Sequence, residues 1–139
     1  NVIPGVAEGD PDGWSGEERR IEEERRKILG RSDLVVEATT ARVPVERCHS
    51  VAVHARFRRA ISPAEARRAL SSALGVRLSE DPHGPRPREC AGTDPVHVGR
   101  VRTGARGAGS LCFFAVGDQL RKGAALNAFQ IAARLPARR

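Results

Sequence analysis

The 139-residue sequence predicts an α+β domain: a mixed, largely antiparallel sheet with helices packed mainly on one face. Three observations carry that expectation. Residues 49–57 alternate between apolar and polar positions, as a strand with one covered face requires. Residues 111–116, Leu-Cys-Phe-Phe-Ala-Val, form a continuous apolar run, the pattern of a strand covered on both faces. Two capping boxes, Ser15-Gly-Glu-Glu18 and Ser62-Pro-Ala-Glu65, each start a helix. The element order is αββαβββα, which segregates helices and strands into layers.

Residues 1–14, rich in Gly, Pro and Asp, read as a loop with Trp14 packing at its end. The first helix runs from the Ser15 cap to about Leu29 and stops at Gly30. Its apolar side is thin (Ile21, Ile28, Leu29) and the rest is charged, so it belongs on a surface or beside a polar cleft. Leu34 to Ala41, rich in Val and Thr, reads as a strand, and Pro44 then interrupts pairing. On the strand from His49 to Phe57, Val51, Val53, Ala55 and Phe57 share one face, and Ser50, Ala52, His54 and Arg56 the other. The second helix has Pro63 in its first turn, buries Ala66, Ala69, Leu70 and Ala73, and ends at Gly75. Val76 to Leu78 is a short strand, 81–93 a loop punctuated by Pro and Gly, Val96 to Val101 a strand and 104–109 a turn. A final helix follows Asp118, with Leu120, Ala124, Ala128, Ile131 and Leu135 along one stripe.

The length suits one domain with a core and is too short for a separate cofactor domain. Hydrophobic residues make up 40% and charged residues 29%, a soluble globular composition. No apolar run reaches membrane-spanning length and no signal peptide is evident, so no membrane partner is expected. Cys48, Cys90 and Cys112 are odd in number and widely spaced, without Cys-x-x-Cys. They indicate neither a disulfide framework nor a zinc site, and a reducing, cytoplasmic setting is the default. The sequence begins at Asn1 and contains no methionine, as an excised domain, a processed piece or a partial frame would. The net charge is +7, but it is dispersed and carried almost entirely by arginine. With one Trp, no Tyr and four Phe there are few rings for bases to stack on, so no nucleic-acid partner is expected. An anionic substrate or cofactor fits the charge equally well.

His49 is a candidate acid/base group, because an imidazole titrates near neutrality. Strand parity puts it on the apolar face with Val51 and Val53, where partial burial is expected. Cys48 is its neighbour in sequence but points to the opposite face of an extended chain, so it reads as packing rather than as a nucleophile. Cys112, inside the apolar run, should be inert, and Cys90, in a loop, could be exposed but has nothing nearby to activate it. Arg42 stands alone between apolar segments and could fork onto a carboxylate or phosphate, or snorkel at a sheet edge. Glu18 and Arg20 could bind a ligand or belong to a solvated helix face. No Gly-x-Gly-x-x-Gly follows a strand and opens a helix.

Four segments in this order resemble the C-terminal half of aspartate-semialdehyde dehydrogenase. They are Asn1-Val-Ile-Pro4; Glu17-Glu-Arg-Arg20 with Lys27-Ile-Leu29; Arg42-Val-Pro-Val-Glu-Arg-Cys-His49; and Gly117-Asp-Gln-Leu-Arg-Lys-Gly-Ala-Ala-Leu-Asn127. The segment at 82–95 matches least, with His83-Gly-Pro-Arg-Pro-Arg-Glu-Cys90 where the family has a Pro-Thr-Pro-like stretch. The resemblance implies the fold of a glyceraldehyde-3-phosphate-dehydrogenase-like C-terminal domain over residues 1–139, serving substrate binding and homodimerisation. It implies that Glu18 binds the substrate amino group, Arg42 its carboxylate, and Arg20 (a lysine in the family) the phosphate. His49 becomes the acid/base residue and Gln119 a contact to the nicotinamide of NADP. The implied reaction reduces β-aspartyl phosphate to aspartate semialdehyde with release of phosphate. A cysteine thiolate forms a thioester that hydride then collapses. That cysteine and the dinucleotide loop belong upstream of this region, so the chain alone is expected to be inactive. Competing readings are a related acyl-phosphate or acyl-CoA reductase domain and a non-catalytic dimerisation module.

Overall fold

A computed structural model describes residues 1–135 and divides the chain into two compact units, Asn1–Pro44 and Val45–Arg139. In the first unit the long helix α1 (Gly16–Leu29) has the capping box that its sequence predicts. Ser15 Oγ accepts the Glu18 N–H at 3.4 Å, and Glu18 Oε2 accepts the Ser15 N–H at 2.9 Å. Gly30 ends the helix in the left-handed conformation at φ 59°. The thin apolar stripe does not bury as expected: Ile28 and Leu29 are 75% and 57% exposed, while Glu18 and Arg25 are buried. Arg25 turns inward because its guanidinium donates to the Leu34 carbonyl and, at 2.8 Å, to Glu22. At the start of the unit, Trp14 lies under the Arg19 guanidinium, 4.8 Å from the ring centroid.

The strand expected over 34–41 is absent. Only β2 (Ala41–Arg42) pairs, antiparallel, with β1 (Ile3–Pro4) in a stretch read as loop. The physical reason lies in the hydrogen bonds. The Leu34 carbonyl is taken by Arg25 and the Thr40 N–H by Glu18, while Val35 stands 81% exposed. Val and Thr content does not make a strand where no neighbouring strand is available.

The second unit holds a sheet of four strands in the order β3 (His49–Arg56), β6 (Ser110–Gly117), β5 (Val96–Thr103), β4 (Val76–Leu78). The β3–β6 and β6–β5 pairs are antiparallel and β5–β4 is parallel. β6 is thus central, consistent with its continuous apolar run. Alternation along β6 divides the core in two. Leu111, Phe113 and Ala115 pack with Val98, Val101 and Ala66 of helix α2 (Pro63–Ser72). Phe114 and Val116 pack on the other face with Cys48, Cys90 and Ala91.

Several details depart from expectation. α2 ends at Ser72 rather than Gly75, and of its expected stripe Ala69 and Ala73 are exposed. The 81–93 loop contains a single-turn helix, α3 (Pro87–Cys90), which carries Cys90 to 2% exposure; a loop cysteine open to solvent was the wrong expectation. Cys112 is half-buried rather than enclosed. The final helix is broken. Residues 121–125 wind irregularly, with Gly123 at φ 110°, and regular helix α4 covers only Leu126–Ala132. Its stripe is uncovered, with Leu120, Ile131 and Leu135 all more than half exposed. No helix among the described residues is long and apolar enough to cross a membrane.

Candidate active site

The β3–β6 ladder ends at the pair His49 and Gly117. Beyond that pair, side chains continue the pairing. The Cys48 N–H donates to Gln119 Oε1 at 2.9 Å, and Arg47 Nη2 meets Asp118 Oδ2 at 2.7 Å. Asp118 is completely buried and also accepts the Gly92 N–H at 2.7 Å and the Leu120 N–H at 3.0 Å. The Arg47 hydrogen bond holds the Asp118 carboxyl below the usual carboxylate range, and the same bond raises the Arg47 guanidinium above its ordinary value. Cys48 lies between these two clasps at φ 81°, a left-handed conformation that is uncommon for a residue with a Cβ. It does not have the extended geometry expected of it, yet its packing role holds. It is 4% exposed against Cys90 and Val116, and burial pushes its thiol pKa up, away from thiolate.

An open cleft of about 450 Å³ lies at this end of the sheet, lined by His49, Val51, Val96, Gly117, Gln119 and Lys122. His49 shares the face of Val51 and Val53 as strand parity requires, but it is exposed and not partly buried as expected. The reason is that β3 is an edge strand of the described sheet; Val51 beside it is 53% exposed. Gln119 is half-buried, and because its oxygen is taken by a backbone donor, its amide nitrogen is the group left to serve a ligand.

Glu18, Arg20 and Arg42 belong to the Asn1–Pro44 unit. There a second cleft, of about 490 Å³, is lined by Pro4, Gly5, Ser15, Glu18 and Thr39 among others. Glu18 Oε1 accepts the Thr40 N–H at 2.7 Å and Oε2 the Ser15 N–H, and these bonds, Ser15 first, hold its carboxyl below the ordinary range. Arg42 is exposed on β2, two residues past Thr40. Arg20 is exposed and pairs with Glu17 at 3.2 Å. The sequence reading missed Arg47 and Asp118. The available signal was an aspartate directly after Gly117, at the end of an apolar run where a charge has to find a partner.

Residues 1–122 match the family model described as semialdehyde dehydrogenase, dimerisation domain. This chain belongs to that family. The family's relatives include the aspartate-semialdehyde dehydrogenase of Prochlorococcus marinus, 44% identical over 84% of this chain and 35% of that protein. That of Streptomyces akiyoshiensis is 44% identical over 95% of this chain and 39% of that protein. Among solved structures, aspartate semialdehyde dehydrogenase II from Vibrio cholerae superposes with a TM-score of 0.89 at 34% identity, covering 96% of this chain and 40% of that one. The same enzyme complexed with ASA superposes equally well. The α+β class and the family anticipated from the motifs are therefore borne out. The chain spans 35% to 40% of the length of these relatives.

Proposed function

We propose that residues 1–139 form the C-terminal substrate-binding and dimerisation domain of an NADP-dependent aspartate-semialdehyde dehydrogenase. In this reading it works beside a dinucleotide-binding domain that carries the cysteine nucleophile. The observation that carries the reading is the shared cleft of His49 and Gln119 at the end of the β3–β6 ladder. It puts an exposed imidazole beside an amide whose free group is a donor.

In this reading the cofactor supplies hydride, and Gln119 fits it because the amide nitrogen can donate to a carboxamide oxygen while Cys48 holds the oxygen. His49 moves the proton, its exposure leaving the ring open to substrate. Arg42 forks onto the substrate carboxylate, and Glu18 accepts from its ammonium through the lone pair of Oε2 that Ser15 leaves free. Arg20 exchanges Glu17 for phosphate. The half-exposed Val51 on the open face of β3 supports homodimerisation through the sheet. The place of the reaction is then aspartate-family amino-acid biosynthesis in the cytoplasm, leading to lysine, threonine and methionine.

The test is His49→Ala in the intact enzyme. Turnover of β-aspartyl phosphate with NADPH should fall about 100-fold or more, with KM little changed. Wild-type turnover would remove the acid/base role. The 139-residue chain alone should show no turnover, and measurable activity would refute the need for a second domain.

A further inference from the structure

We infer that Arg47 and Asp118 are positioning residues for His49. Their ion pair, buried at its Asp118 end, prolongs the β3–β6 ladder past its last backbone pair and fixes where the imidazole stands in the cleft. The inference rests on the acid/base role proposed for His49.

Among the described residues, no hydrogen bond holds the His49 ring, and the residue is exposed. Its position is therefore set through its own backbone, by Gly117 across the ladder and by Cys48 before it. Cys48 at φ 81° is the weak link, because a non-glycine residue keeps that conformation only where its surroundings enforce it. Three contacts enforce it here. Gln119 takes the Cys48 N–H, Cys90 and Val116 enclose the side chain, and Asp118 holds Arg47 one residue upstream. Asp118 is in turn fixed by the N–H groups of Gly92 and Leu120, so its carboxylate has no freedom to follow a moving Arg47. Release of Arg47 would remove one of these restraints and let Cys48 relax toward negative φ. That changes the direction in which the chain enters β3, and His49 is the first residue of that strand. Misplacement of a proton-transfer group reduces rate without weakening binding, because reaction demands alignment that binding does not.

The test uses the intact enzyme with Arg47→Lys. This keeps a positive charge near Asp118 and removes the guanidinium that reaches Oδ2. We expect kcat to fall about 10-fold with KM within about twofold. In a His49→Ala background the same change should cause no further loss, since the two act through one group. Should Arg47→Lys fail to accumulate, Arg47→Ala with Asp118→Ala removes both charges together, leaves neither buried alone, and is read in the same two backgrounds. Unchanged kcat in Arg47→Lys, or an equal loss with and without His49, overturns the positioning role. If His49→Ala itself turns over at the wild-type rate, the acid/base reading is what fails, and the two failures are thereby distinguished.

Discussion

Glu18 accepts the main-chain N–H of Thr40 at 2.7 Å, across 22 positions of sequence, through the oxygen that its own capping box leaves free. One carboxylate thus closes the first turn of α1 and holds the segment leading into β2. Glu18→Gln keeps the shape but turns an amide nitrogen toward one of the two N–H donors. The melting temperature of the chain, followed by circular dichroism, should therefore drop more for Glu18→Gln than for Ser15→Ala. The latter loses the cap, about 1 kcal/mol, and the 3.2 Å contact of Ser15 Oγ with Thr40 Oγ1, but leaves the Thr40 N–H bonded to Glu18. Equal drops would mean that the bond from the Thr40 N–H to Glu18 adds no more than the Ser15 hydroxyl does.

Cys48 combines a left-handed backbone with a buried side chain, and two substitutions separate these. Alanine removes the sulfur and keeps the strain; glycine removes both. Cys48→Gly should be more stable than Cys48→Ala by about 1 kcal/mol in urea unfolding, opposite to the usual preference for alanine over glycine. Alanine proving the more stable would mean that φ 81° costs nothing at this position.

Much of this was legible in the sequence because local chemistry and tertiary structure agree. Both capping boxes formed, the alternation from His49 gave β3, and the apolar run gave the central strand β6. The misreadings arose where a long-range partner decided the outcome. Leu34 to Ala41 has strand composition, but Arg25 and Glu18 take its backbone groups. The apolar stripe of the last helix has helical spacing, yet Gly123 breaks it. His49 was placed on the correct face and given the wrong exposure, because periodicity does not reveal that β3 is an edge strand. Arg47 and Asp118 are 71 residues apart, and no spacing rule connects them.

Gly99 on β5 is required by close approach rather than by its dihedral angles. A Cβ there would lie 2.7 Å from Pro85 Cδ and 3.1 Å from Gly84 Cα, both parts of a loop with little room to retreat. Gly99→Ala should cost about 1–3 kcal/mol by overpacking. Gly107→Ala meets no atom within 4 Å but has φ 75°, so it should cost only the backbone term, about 1 kcal/mol. Denaturation midpoints for the two variants in the reverse order would argue against the close approach of Pro85.

His97 is half-buried with Nε2 2.9 Å from Thr93 Oγ1. Burial first, then the charge of Arg77, hold its imidazole pKa below the usual histidine value. A group with a depressed folded pKa takes up protons more readily in the unfolded chain. Its contribution to stability is full above the ordinary histidine range near pH 6.5 and declines as pH falls through the interval down to the folded value. The carboxylates of Asp118 and Glu18 are also depressed, so their contributions persist at these pH values and are lost only below the ordinary carboxylate range near pH 4. Two separate steps of destabilisation should therefore appear as pH is lowered. His97→Gln keeps a polar partner for Thr93 and cannot titrate, so it should abolish the upper step and leave the lower one intact. Urea midpoints at pH values between about 7.5 and 3 measure both. A wild-type midpoint that stays level from pH 7.5 to about 5, or an upper step that survives in His97→Gln, would assign no titrating role to this histidine.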